Sequence, residues 1–523
     1  MRRRIFRWIA IACVALGARA QSVESLEQRI AKIMSRPEYL HARFGMEFWP
    51  LNADKPVYRC NEQQLFVAAS TTKLLTEGTA LALLGPDYRF HTRVYRTGAV
   101  DRGGTLHGDL ILVAAGDPNL SNRVQADGTL AFQNQDHAYD SMPGGAKVVA
   151  GDPLAAIREL AAQVAKAGIK KIAGHVLVDV SLFPEGEREL GTGVVLSPMA
   201  VNDNLIDVSI AAGAEGSAPR ITVSPPTAYL QFNNQLKTGP PSHQTADISF
   251  TDKRRPDGAY SVTIQGTAPA GASLLRTYRV PEPSRLAQMT FAEALKVAGV
   301  AAPVNLTAAA PDAHAQSFYT AENQVAEHVS PPLSEEVKVT LKVSQNLHAG
   351  MTPYILGAVL GKRGEGALQA GFDVEDRFLR KAGLDVSGAS QSDGAGGDAY
   401  FTPDFMVHYL MYLARQDAIF PSLLQALPVM GKDGTLWDIQ AGSPAAGHVR
   451  AKTGTMGGAD LLHHSLMITG KGMAGYIDRK DGRRLAFAAY IGMVDGDPET
   501  IMHQAGNVLG EIAGAAYDAP MEF

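Results

Sequence analysis

The stretch Val67-Ala68-Ala69-Ser70-Thr71-Thr72-Lys73-Leu74-Leu75 reads as a polar turn entering an apolar helix. Ser70 and Lys73, three residues apart, then share one helix face. A serine hydroxyl is a poor nucleophile until a neighbouring base takes its proton, and a neutral lysine amine one turn away can do so. Free lysine titrates near about 10.4, so burial or a second cation is needed to lower it. The pattern therefore predicts another lysine converging on the same place. Ser-x-x-Lys occurs nowhere else in the chain. Taken alone it is also what an N-cap serine followed by a solvated lysine looks like.

Upstream, residues 1–20 read as an export signal. Arg2, Arg3, Arg4 and Arg7 form a basic region, Trp8 to Gly17 an apolar core, and Ala18-Arg19-Ala20 a small-x-small cleavage site. The apolar run is too short to span a bilayer. The expectation is an exported, periplasmic protein with no stable membrane anchor. Cleavage leaves a single cysteine, Cys60, which reads as an inert half-buried thiol in a fold without disulfide staples. No Cys-x-x-Cys, His-Glu-x-x-His or calcium-loop pattern is present, so neither a metal nor a cofactor is expected. A net charge of -5 with no basic stripe argues against nucleic acid. With 523 residues and 46% hydrophobic content, the chain is too long for one core and should form two or three domains.

Downstream of Ser70, the helix should run through Leu84 and stop at Gly85-Pro86. Before it, Ser25 to Met34 has helical apolar spacing, and Gly45 to Leu51 and Pro56 to Cys60 read as strands. After Tyr88 the texture turns strand-like, with Phe90 to Tyr95 and Leu106 to Val113. Ser121 to Pro153, rich in Asn, Gln, Asp and Gly, reads as a long mobile surface loop. A helix from Leu154 to Ala167 and a strand from Ile172 to Val180 follow. Short alternating segments between Ala200 and Pro283 suggest a small β-rich unit. Helical patterning resumes at Phe291 to Ala298 and from Ser334. Near the end, strands around Lys480-Asp481-Gly482-Arg483 suit a tight hairpin, and a last helix runs from about Pro498 to Tyr517. The two ends of the chain share a helix-plus-sheet texture and should build one domain. The division expected is residues 21–95 and 285–523 for that domain, with 96–284 inserted and a smaller β-rich unit nested near 200–283.

The second lysine is found in Val449-Arg450-Ala451-Lys452-Thr453-Gly454-Thr455. An edge strand here could pair with an extended peptide, Gly454 would permit close approach, and Lys452, Thr453 and Thr455 could hold a carboxylate. A third element, Val343-Ser344-Gln345-Asn346, holds the only Ser-x-Asn in the sequence and follows an amphipathic helix. On its own it would be a capped turn.

Together the order Ser-x-x-Lys, Ser-x-Asn, Lys-Thr-Gly resembles the signature of penicillin-recognising serine enzymes. The interval between Lys73 and Ser344 far exceeds the small helical domain that a β-lactamase needs there. The chain resembles the class C low-molecular-mass penicillin-binding proteins, the D-alanyl-D-alanine carboxypeptidase/endopeptidase family. Leu84 to Phe90, Gly108-Asp109-Leu110, Gly116 to Leu120, Val201-Asn202-Asp203-Asn204 and Asp433 to Leu436 look like that family's recurrent segments, spread over nearly the whole mature chain. Two positions depart from it. Gln345 replaces an acidic middle residue, which should matter little because that side chain is not reactive, and Asp393-Gly394-Ala395-Gly396 carries alanine where the family has serine.

The resemblance implies an α+β fold: a penicillin-recognising serine transpeptidase-like domain, its antiparallel sheet flanked by helices, with a large β-rich insertion of one or two subdomains. It implies Ser70 as nucleophile, Lys73 as base, Ser344, Asn346 and Lys452 as proton relay, and Thr453, Gly454 and Thr455 as substrate contacts. Peptidoglycan stem peptides would be the substrate and β-lactam antibiotics the inhibitors. The alternatives are a β-lactamase or esterase with the same motifs, or a catalytically weak cell-wall binding protein. A second Lys-Thr-Gly, at Lys237-Thr238-Gly239, is followed by Pro240, which has no N-H to offer a developing oxyanion. It should be a decoy.

Overall fold

The computed structural model describes residues 24–521 apart from 143–144, 243–246, 363 and 365, so the expected export signal lies outside the described residues. The sheet carrying Lys452 is antiparallel, with strands in the order Val449–Asp460, Ser465–Asp478, Arg484–Gly492, Arg43–Pro50 and Tyr58–Cys60. The strand near the N-terminus thus completes a sheet built from C-terminal hairpins. The strand Arg484–Gly492 shows how the sequence specifies layers on both faces. Side chains alternate along a strand: Leu485, Phe487, Ala489 and Ile491 enter one core, and Ala486, Ala488 and Tyr490 the other. The first core is closed by the helices Leu26–Met34 and Ile501–Asp518, the second by Thr72–Leu84, Pro403–Ala414 and their neighbours. Ser25 and Gln28 form a capping box at the start of Leu26–Met34. Gly482, at φ +84°, makes the hairpin turn after the strand Ser465–Asp478.

Thr72–Leu84 is buried on every side from Thr72 to Leu81, as a helix crossing the interior must be. It stops at Gly85, whose φ of +88° a side chain would strain. No described helix is long and apolar enough to cross a membrane.

A second body folds around its own core. Its main sheet runs Gln324–Val329, His91–Arg96, Leu110–Val113, Val176–Asp179, covered by the helices Ala155–Lys166 and Pro283–Val297. Strands between Leu205 and Arg279 form two further three-stranded sheets beside it. Among the described residues, no strand of the Lys452 sheet comes from 96–284. Drawn by pairing, however, this body runs from His91 to Val329 rather than from 96 to 284. His91–Arg96 pairs with Gln324–Val329, and Leu286, Phe291 and Leu295 share a core with Val94, Leu112 and Ile157. The strand-rich texture ends near 284, but the sheet is closed by a later return strand that texture does not reveal.

The expected mobile loop at Ser121–Pro153 is also corrected. Asn122, Arg123, Asp136, His137 and Asp140 are buried. Their polarity is compensated internally: Arg123 pairs with Asp136 and, at 2.7 Å, with Asp203, while His137 stands 2.8 Å from Asp203 and 2.7 Å from Asp207. His348, on the helix Asn346–Leu360, joins the same network at 2.9 Å from both Asp203 and Glu336. Burial opposes charge on His348, but Glu336 and Asp203 outweigh it and raise its pKa to about 10. Removing one member of such a network strands the others in low dielectric. Arg123→Ala is therefore expected to lower stability by about 3–5 kcal/mol, read from the urea unfolding midpoint. A loss below about 1 kcal/mol would mean that the loop is held by something else.

Candidate active site

Ser70 lies in the 3-10 turn Ala69–Thr71 that leads into Thr72–Leu84. Ala69 is left-handed at φ +44°, an uncommon conformation for a residue with a Cβ. Two glycines let other segments close on this turn. A Cβ on Gly454 would stand 2.5 Å from Ala68 O and 3.0 Å from Ser70 N, and one on Gly396 would stand 2.0 Å from Ala69 O.

One turn on, Lys73 is fully buried. Its Nζ is 2.8 Å from Ser70 Oγ, 2.6 Å from Asn346 Oδ1 and 3.0 Å from the Ala395 carbonyl. Burial lowers its pKa to about 7 against the opposing pull of Glu189, Asp393 and Glu77. Both protonation states are then accessible near neutrality, the condition a general base requires. Three segments distant in sequence thus meet at one amine.

Lys452 Nζ, also fully buried, donates to Ser344 Oγ at 2.8 Å and to the Thr453 carbonyl at 2.7 Å. Its pKa is driven well down by burial and then by the nearby Lys73 and Lys471. Ser344 ends the helix Leu333–Val343 in a left-handed conformation, φ +62°, which turns the chain so that Asn346 opens the next helix. Thr453 Oγ1 donates to Thr435 Oγ1 at 2.8 Å, and Thr455 Oγ1 accepts from Lys471 at 2.7 Å. Pro428 to Met430 cover the outer side of the edge strand at Val449 and Ala451. Among the described residues, no strand pairs with its outer side from Lys452 onward. The cleft in front has two lobes, about 300 and 550 Å³, that meet at Ser70, Tyr139, Met142, Thr455 and Met502.

The structure gathers Ser70, Lys73, Ser344, Asn346, Lys452, Thr453, Gly454 and Thr455. It does not bring Lys237 to them. Lys237-Thr238-Gly239 ends a strand paired in parallel with Tyr260–Pro269, in a separate sheet of the second body. Three contributors escaped the sequence reading. Tyr139 donates to Ser344 O at 2.6 Å and Asn346 Oδ1 at 2.9 Å, yet it sits in the stretch read as a mobile loop. Glu189 accepts from Asn346 Nδ2 at 3.0 Å and belongs to no motif. Gln345, dismissed as inconsequential, is fully buried and donates to Asp136 at 2.9 Å, tying the second motif to the ion network. Asp393 folds the Asp-Gly-Ala-Gly turn by accepting from Ala395 N at 2.7 Å and Gly396 N at 2.6 Å.

Asp136, His137 and Asp203 stand close enough to share a metal ion, but the Arg123 guanidinium already lies against both carboxylates. That trio does not fit a cation. Cys60 is half-buried, and burial pushes its thiol pKa up, as for an unreactive cysteine.

A D-alanyl-D-alanine carboxypeptidase from Actinomadura sp. (strain R39) is 27% identical over 497 residues, covering 91% of this chain and 81% of its own. The D-alanyl-D-alanine carboxypeptidase DacB of Haemophilus influenzae is 24% identical over 468 residues, covering 86% of this chain and 85% of its own. The crystal structure of penicillin binding protein 4 (dacB) from Haemophilus influenzae superposes with a TM-score of 0.70 at 20% identity, covering 93% of this chain and 98% of that one. The fold is accordingly the penicillin-binding α+β fold with a large β-rich insertion. The profile of one family matches residues 26–511, and the chain belongs to that family, the D-Ala-D-Ala carboxypeptidase 3 (S13) family.

Proposed function

We propose that the chain is an exported enzyme that trims peptidoglycan stem peptides through an acyl-enzyme on Ser70. That it is a serine-type D-Ala-D-Ala carboxypeptidase follows from its family. The observation that carries it is the Lys73 amine, fully buried and within 2.8 Å of Ser70 Oγ.

A peptide ending in D-Ala-D-Ala would lie along the free edge from Lys452 onward, pairing by main-chain hydrogen bonds. Lys452, Thr453 and Thr455 hold its terminal carboxylate. Neutral Lys73 takes the Ser70 proton as Oγ attacks the penultimate D-alanine carbonyl. The oxyanion is met by the N-H groups of Ser70 and Thr455, which the approach of Gly454 to the Ser70 turn favours. The proton taken by Lys73 reaches the leaving amine by way of the Ser344 hydroxyl, with Lys452 bonded to that hydroxyl and the Asn346 amide holding Lys73, the C–N bond breaks, and D-alanine departs. Water then hydrolyses the ester, returning Ser70 and releasing the shortened peptide. When the acyl donor carries a cross-bridge at that amine, the same steps give endopeptidase cleavage.

A β-lactam presents a strained amide to the same groups, but its amine stays tethered and blocks the approach of water. Benzylpenicillin is expected to leave a persistent adduct that maps, by intact-mass measurement and digestion, to the peptide containing Ser70. An adduct on another peptide would overturn the assignment of the nucleophile. Rapid turnover without a lasting adduct would favour a β-lactamase, and no reaction at all a binding protein.

A further inference from the structure

Asn346 carries an amide that must point one way. Its Oδ1 receives Lys73 Nζ at 2.6 Å and the Tyr139 hydroxyl at 2.9 Å, and its Nδ2 donates to Glu189 Oε2 at 3.0 Å. The flipped amide would set NH₂ against a lysine amine and an oxygen against a carboxylate. A carboxylate can only accept, so Glu189 is the group that penalises the flip most directly.

Glu189 is itself built into place. It is 7% exposed and accepts from Gly191 N at 2.7 Å and from both the N-H and the hydroxyl of Thr192. With Asn346 Nδ2 these make four donors, two on each oxygen, and they saturate the carboxylate. The turn then presses directly on the second motif: a Cβ on Gly191 would stand 2.0 Å from Asn346 Nδ2. Its glycine is required for that approach, not for backbone freedom.

We propose that Glu189, supplied by the inserted body, is a positioning residue for acylation: it fixes the Asn346 amide with its oxygen toward Lys73 and sets a negative charge beside that amine. The proposal rests on the reading of Ser70 and Lys73 as nucleophile and base. It also gives the insertion a part in the chemistry, since Glu189 and Tyr139 both lie within 96–284. The charged groups facing Lys73 are Glu189, Asp393 and Glu77, which favour its protonated form; Lys452, on the edge strand, has its own pKa driven well down by burial and then by Lys73. Loss of the Glu189 charge should let Lys73 deprotonate at lower pH.

The test is the second-order rate of benzylpenicillin acylation of the full chain from about pH 5.5 to 9, with the unfolding midpoint as a check on folding. Glu189→Gln is expected to lower the plateau rate about 30-fold to 100-fold, as misplacing a catalytic group does, and to move the acid limb to lower pH. Gly191→Ala displaces Asn346 but keeps the charge. It should lower the plateau at least about 10-fold and leave the limb where it is. A Glu189→Gln plateau within about threefold of the unmodified chain, or an unmoved limb in that variant, would overturn the proposal. If Glu189→Gln does not fold, Gly191→Ala decides, and a plateau within about threefold of the unmodified chain would overturn it. Absence of any adduct in the unmodified chain would sink the Ser70 reading and this proposal with it. Near-normal acylation by both variants would sink this proposal alone.

Discussion

Lys73→Arg is expected to acylate with benzylpenicillin about 10³-fold to 10⁴-fold more slowly than the unmodified chain, the upper range for loss of a positioned base. Charge is retained in this variant, so the loss isolates the proton-accepting role. Arginine cannot be deprotonated at any pH the protein survives. Lysine at this position can be, because burial has brought its pKa down to about 7. The unmodified chain should therefore acylate faster as pH rises through about 7, since the neutral amine is the reactive form. Lys73→Arg should show no such limb, and Lys73→Ala should be equally slow and equally flat. An arginine variant within tenfold of normal would mean that another group takes the Ser70 proton; the buried Lys452 amine donates to Ser344 instead.

The same burial sets a cost on stability. A lysine whose folded pKa lies below its unfolded value binds fewer protons when folded, so it opposes folding at low pH. The opposition fades as pH rises from the folded pKa, about 7 here, toward the unfolded value near about 10.4. Catalytic readiness of Lys73 is thus obtained against stability, and the hydrogen bonds its amine donates to Ser70 Oγ, Asn346 Oδ1 and the Ala395 carbonyl limit the loss.

What the sequence made legible was whatever depends on local spacing. The apolar spacing from Ser25 to Met34 announced the first helix, Gly85-Pro86 the end of the buried one, and Asp481-Gly482 the hairpin turn near the end of the chain. Ser70, Lys73, Ser344, Asn346 and Lys452 were legible because each belongs to a short motif with a chemical reason for its spacing. Contacts set by tertiary folding were not. Arg123, Asp136 and His137 look like loop residues because polar groups are costly to bury unpaired, and their partners Asp203 and Asp207 lie some way along the chain. Gln345 was judged by its reactivity, although its amide serves as an anchor to Asp136. Glu189 has no neighbour in sequence that hints at Asn346. The outer limit of the insertion failed for the same reason, since the pairing of His91–Arg96 with Gln324–Val329 leaves no mark on composition.

The two Lys-Thr-Gly copies offer the sharpest contrast that the fold permits. Lys452→Ala is expected to slow acylation by about 10²-fold to 10³-fold, the scale of losing one electrostatic contact to the transition state, while Lys237→Ala leaves it unchanged. Lys452 Nζ is wholly buried against Ser344 Oγ and the Thr453 carbonyl. Its removal frees that hydroxyl from the relay and leaves a cavity where an incoming carboxylate expects a hydrogen-bond donor. Lys237 is exposed on a strand whose partner is Tyr260–Pro269, and Pro240 after its glycine offers no N-H. Thr455, after Gly454, has one, on a strand whose outer edge faces the cleft. The rate of adduct formation by intact mass, measured on both variants at one pH above 7, separates the copies. A larger loss in Lys237→Ala than in Lys452→Ala would remove the third motif from the site. A small loss in both would mean that Ser344 delivers the leaving-group proton without a second lysine, and that the edge strand binds substrate through its backbone and threonines alone.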